Sequence, residues 1–124
     1  VKKNAKKAVE WFEKAANLGQ RKAQYTLAKA YLDGYGVSKS YSKSLIWLRR
    51  AADLGHRPGQ HLLGDMHRRG LGVALNYGEA SKWYKRAADQ GHPPSQYSLG
   101  MMCLIALGVP RDYKKAARWF HEAA

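Results

Sequence analysis

Residues 23–55, AQYTLAKAYLDGYGVSKSYSKSLIWLRRAADLG, return as residues 59–91, GQHLLGDMHRRGLGVALNYGEASKWYKRAADQG, with Gln24 falling on Gln60, Leu27 on Leu63, Gly36 on Gly72 and Tyr41 on Tyr77. The same step of 36 residues carries Trp11 to Trp47, Trp83 and Trp119, the only four tryptophans, and Ala15 to Ala51, Ala87 and Ala123. A further copy supplies Gln96, Leu99, Gly108, Val109 and Tyr113. A fixed period of this length, with small residues where backbones approach and large ones where gaps must be filled, predicts stacked pairs of helices.

Each period divides into two helices. The first follows Gly19 and runs through QRKAQYTLAKAYLD to Gly34, with Gln24, Leu27 and Tyr31 on one stripe. Pro58 and the pair Pro93 and Pro94 suit the first turn of its later copies, and Gly34 and Gly70 suit left-handed stops. Ala106 stands at the third stop, where a left-handed Ala costs about 1 kcal/mol over Gly, so that loop is expected to be strained or differently shaped. The second helix opens at the cap-forming residues Asn4, Ser40, Asn76 and Asp112, with Glu79 placed for a capping box, and closes at Gly19, Gly55 and Gly91. Its expected core stripe in the first copy is Ala8, Trp11, Ala15 and Leu18. The organisation expected is a single all-α solenoid of antiparallel helix pairs: a lone second helix over 4–18, then repeats at about 20–55, 56–91 and 92–124, within a longer array.

The segments A-Q-Y-x-L, G-x-G-V, Y-x-x-A and W-x-x-x-A-A-x-x-G, returning in register over essentially the whole chain, resemble the Sel1-like repeat family, relatives of the tetratricopeptide solenoids. Ala28 for Gly, His61 for Tyr, Ser44 for Ala and Ala106 for Gly depart from the pattern in single copies. The resemblance implies a right-handed superhelix that serves as an adaptor for protein complexes, its concave groove lined by one face of the first helix of each repeat. Some cysteine-rich bacterial members are penicillin-binding. With Cys103 as its single cysteine, this chain gives that activity no support.

Projection at 100° per residue puts Tyr25 and Leu32 on a second apolar side expected to meet the neighbouring repeat and leaves positions 22, 26, 29 and 33 and their equivalents, the face that the resemblance implies lines the groove. Copy one contributes Lys22, Thr26, Lys29 and Asp33; copy two Pro58, Leu62, Asp65 and Arg69; copy three Pro94, Ser98, Met101 and Ile105. The face thus begins basic, becomes mixed and ends apolar. It suits an extended or helical peptide with an acidic portion near Lys22 and Lys29 and an apolar anchor at Met101 and Ile105. Coverage of Met101 and Ile105 by a following repeat, and self-association through them, are the competing uses of the same patch.

Twenty-two Lys and Arg against nine Asp and Glu give the 124-residue chain a net charge of +13, which favours an acidic protein partner or, as the alternative, nucleic acid or another anionic polymer. Lys14, Arg50 and Arg86 form one row on the second helices, with Arg49 and Lys85 beside it, on the side expected to be convex. No zinc finger, helix-turn-helix or aromatic–glycine motif accompanies the charge, which argues against base-specific recognition. A single Cys excludes an internal disulfide framework, and MMCLIALGV is too short to span a bilayer. No catalytic, cofactor or metal site is expected. His61 and Asp65 share one helix face, but His67 points about 120° away. Cys103 sits on the core stripe without an evident base. The G-x-G pairs follow helices and lack the third glycine of a dinucleotide fingerprint.

Overall fold

Three of the predicted caps organise the loops. Ser40, Asn76 and Asp112 hold extended backbone, and their side chains accept hydrogen bonds from the amides of Lys43, Glu79 and Lys115 respectively. Each also donates its own backbone N–H to the preceding helix, to Tyr31 O, His67 O and Cys103 O, at 2.9–3.0 Å. A single residue therefore closes each loop and starts the next helix. The capping box is only half formed: Glu79 turns toward Lys82 (3.8 Å) instead of reaching back to the Asn76 amide, which is already committed to His67.

The computed structural model describes residues 2–124, with the side chains of residues 2 and 3 outside the description. Its helices are α1 (Lys2–Asn17), α2 (Arg21–Asp33), α3 (Tyr41–Asp53), α4 (Arg57–Arg69), α5 (Tyr77–Asp89), α6 (Pro93–Ile105) and α7 (Tyr113–Ala123). No strand occurs among the described residues, so the fold is an all-α repeat. Asn4 lies inside α1 and caps nothing, because the helix begins two residues ahead of it. Gly19, Gly55 and Gly91 all adopt positive φ, as the stops require. At the third stop Ala106 takes the same left-handed conformation as Gly34 (φ 57°, ψ 43°), so the loop keeps its shape and bears the strain.

The chain forms two compact units, Val1–Gly59 and Gln60–Ala124. In the first, α1 packs on α2 and α2 on α3, around buried Val9, Ala16, Ala23, Leu27 and Ala30. Gln24 fastens the first contact by donating from Nε2 to Ala16 O (3.2 Å). In the second, α5 packs on α6 and α6 on α7, around buried Ala80, Tyr84, Ala88, Leu99 and Met102. Gln96 repeats the tie, donating to Ala88 O (3.1 Å). A Cβ added at Gly36 would collide with the α1 backbone at Ala5, so this glycine is required by close approach as well as by its φ of 73°.

The expected stripe Ala8, Trp11, Ala15, Leu18 is corrected. Trp11 is 70% exposed and Leu18 80% exposed, whereas Ala5, Val9 and Ala16 carry the core, an arc turned by about one residue. In α3 and α5 the positions equivalent to 9, 12, 15 and 16 are likewise buried. The tryptophans sit at the edge: Trp47 and Trp119 are half-buried against the two clusters, and Arg50 and Arg86 lie over the Trp47 and Trp83 rings at 4.8 and 4.6 Å.

Candidate functional site

The candidate residues fall on α2 in the first unit and on α4 and α6 in the second. On α2, Lys22, Lys29 and Asp33 are exposed and Thr26 is half-buried, its hydroxyl donating to Lys22 O (2.9 Å). Lys29 does not project freely: its ammonium lies 5.8 Å from the Tyr25 ring of its own helix. Tyr25 in turn contacts the His56 ring at 5.1 Å.

On α4, Leu62 and Asp65 are half-buried and Arg69 is exposed. Asp65 is the centre of a polar cluster rather than a free charge. Its Oδ1 accepts from the Tyr84 hydroxyl (2.5 Å) and lies 3.6 Å from Arg68 Nη2, and its Oδ2 lies 3.4 Å from His61 Nε2. Arg68 Nε donates to the Tyr84 oxygen (3.0 Å), and His61 Nδ1 sits 2.8 Å from Ser95 Oγ, which links α4 to α6. Burial and the adjacent carboxylate hold the Tyr84 phenol proton far above its ordinary range. Burial lowers the His61 pKa, and Arg68 adds to that against the opposing pull of Asp65. Neutral His61 is therefore the form this cluster accommodates. Ser95 is fully buried, which closes it to any nucleophilic role and leaves it a positioning bond between helices.

On α6, Ser98 and Met101 are half-buried, Pro94 is exposed and Ile105 is 47% exposed. The helix, PPSQYSLGMMCLI, contains no charged residue. Tyr97 (56%) and Leu104 (37%) are exposed as well, and both project within about 60° of Met101, so the apolar arc is continuous from Tyr97 to Ile105. At the corresponding positions of α4 stand His61 and Arg68, which fold onto Asp65. The two helices thus offer chemically opposite faces at one register.

Sequence reasoning missed two things here. Tyr97 and Leu104, equivalents of Tyr25 and Leu32, fall on the side of the helix expected to meet a neighbouring repeat; Tyr97 does touch Phe120 (ring centroids 5.5 Å), yet over half of it remains open. The Asp65 cluster was missed altogether, although one signal was present: Tyr84 occupies a position held by Phe or Leu in the other copies, and a phenol in a core needs a partner. Of the basic row, Lys14, Arg49, Arg50, Lys85 and Arg86 are all exposed; Lys14 lies over Trp11 at 5.2 Å, and Lys85 bonds Asp89 at 3.0 Å. Among the described residues no helix is long and apolar enough to cross a membrane. Burial raises the Cys103 thiol pKa, opposite to what a nucleophile needs.

A family model of the Sel1 repeat matches residues 1–20, 21–56, 57–92 and 93–124. Among solved structures the chain is similar to a protective antigen present in uropathogenic Escherichia coli strains, which displays an SLR fold (36% identity, TM-score 0.91). That match covers 93% of this chain and 25% of the antigen, so the chain spans a quarter of the antigen's length. It is also similar to a Sel1 repeat protein from Oxalobacter formigenes (35% identity, TM-score 0.85, 90% of this chain and 84% of that one). A third likeness is to cysteine rich protein B of Helicobacter pylori (26% identity, TM-score 0.77, 99% and 88%). No curated protein matches the chain.

Proposed function

The chain belongs to the Sel1 repeat family, and from that premise we propose that it is an adaptor whose first-helix faces bind a peptide or protein segment. Sel1 repeat proteins are generally protein–protein interaction scaffolds, and the family is typically non-enzymatic. The observation that carries the finer reading is the face of α6: a charge-free helix in a chain of net charge +13, with Tyr97, Met101, Leu104 and Ile105 forming one open apolar arc. Such an arc is the kind of surface that anchors an apolar side chain of a partner. On α4, Leu62 extends the apolar character, while Asp65 is internally satisfied and acts as structure; Arg69 is the open charge. On α2, Lys22 and Lys29 offer the complement to an acidic portion of the ligand.

The protein partner reading is favoured over nucleic acid by the same helix, since a phosphate backbone gains nothing from an uncharged apolar face. Immobilised chain, exposed to lysate with and without nuclease and washed at low and high salt, tests it. Proteins retained under all conditions and lost with Met101→Glu support the groove. A retained set unchanged by Met101→Glu overturns it, and material lost on nuclease treatment transfers the function to the basic surface. Concentration-dependent dimerisation that Met101→Glu abolishes would reassign the arc to self-association.

A further inference from the structure

We propose a second docking site, separate from the α6 face: the trough between α5 and α7, which takes an acidic peptide segment carrying an apolar side chain. Two adjoining clefts, of about 450 and 290 Å³, share Lys85, Lys115 and Trp119 and so form one continuous depression in the second unit. Its size is that of a ligand cleft. Ala88 and the half-buried Trp119 supply an apolar floor, and Lys115 and Arg118, about one turn apart on α7, stand at the wall with Arg111 near one end. Among the described residues none of these three cations has a carboxylate within 4.0 Å. Lys85, facing them from α5, is tied only to Asp89 by an exposed pair, the kind that exchanges readily for a better partner. Cations without partners beside an indole in a cleft attract a carboxylate and an apolar group together.

Two repeats earlier, Glu13 and Ile46 stand in place of Lys85 and Arg118, while Lys39 and Lys43 keep the charge of Arg111 and Lys115, so the added pair Lys85 and Arg118 is what sets this trough apart from the scaffold. Asp89 and Glu122 line the 450 Å³ cleft beside the cations, which favours peptide over nucleic acid: a polynucleotide would bring a phosphate against them, whereas a peptide can place a neutral or basic residue there.

The test is an NMR titration of the ¹⁵N-labelled chain with the blocked hexapeptide EEFSGS, whose neutral end can lie against Asp89 and Glu122. Saturable shifts of the Trp119 indole N–H and of the Lys85 and Lys115 amides are expected, with the Trp11 indole still. Lys115→Glu with Arg118→Glu, both on exposed side chains, is expected to weaken binding at least tenfold while the remaining spectrum reports an intact fold, and Met101→Glu is expected to leave it unchanged. A stationary Trp119 indole, equal binding by the double variant, or equal loss with Met101→Glu overturns the site. Tighter binding of hexauridylate than of the peptide at the same resonances overturns the peptide assignment.

Discussion

Ala106 is the one non-glycine residue with positive φ among those described, and it closes α6 by donating its N–H to Met102 O, as Gly34 does to Ala30 O on α2. The bond is kept and the Cβ is the cost, so Ala106→Gly should stabilise the chain by about 1 kcal/mol, partly offset by the flexibility glycine gives the unfolded chain. Urea denaturation of the two proteins measures this; a lower midpoint for the variant would contradict it. Two histidines set a second expectation. The His56 ring is part-buried with Nε2 lacking a hydrogen-bond partner, and burial, followed by Arg21, Lys22 and Arg57, lowers its pKa. His61 is lowered by burial and Arg68 against the opposing pull of Asp65. Between the ordinary 6.5 and these lower folded-state values the unfolded chain binds more protons than the folded one. Stability is therefore complete above about pH 6.5 and is lost as pH falls through that window. Denaturation midpoints at pH 7.5 and 5.5 should differ in that sense, and His56→Gln should reduce the difference; equal midpoints for the natural chain would refute it.

At the scale of elements, what could be read from the sequence was whatever a helix end does locally. Ser40, Asn76 and Asp112 cap as expected because an Asx or Ser side chain reaches its own N3 amide without help from tertiary structure. The core arc of the second helices was placed about one residue off, because periodicity fixes the spacing of a stripe and leaves its rotation to the weight given each residue. Trp11 and its copies drew that weight, yet an indole serves as well at the edge of a core under a lysine or arginine. The Asp65 cluster was illegible for a different reason: it joins α4, α5 and α6, and no local signal states which helices meet. One pairing between helices is visible only by comparing copies. Gly64 faces the Tyr84 ring and Gly100 the Phe120 ring, whereas the first copy has Ala28 with Leu48 at the equivalent positions. A Cβ at Gly100 would lie 2.6 Å from the Phe120 ring, so Gly100→Ala should cost about 1–3 kcal/mol despite the better helix propensity of Ala. Phe120→Leu in the same chain should recover part of that loss, giving a favourable interaction energy in a double-mutant cycle. Additive losses would show that the ring moves aside freely.

Over the whole chain, most of the net charge and the charge-free apolar face of α6 fall in different units. Thirteen of the 22 basic residues and four of the nine acidic ones lie in Val1–Gly59, a net of +9, against +4 for Gln60–Ala124, which contains the charge-free α6. The two properties act on different steps of binding. A net positive field raises the rate at which an acidic partner arrives and is screened over about 10 Å at 0.1 M salt, whereas an apolar anchor that excludes water sets how long the partner stays. For an acidic partner obtained by capture, raising NaCl from 50 to 200 mM should slow association by about an order of magnitude and leave dissociation nearly unchanged. Met101→Glu should do the reverse, accelerating dissociation with a smaller effect on association. Surface plasmon resonance on the paired proteins separates the two rates. An affinity that instead falls linearly in log salt, with dissociation accelerating in step and Met101→Glu without effect, is the behaviour of a phosphate-dominated complex and would place the function on the basic surface.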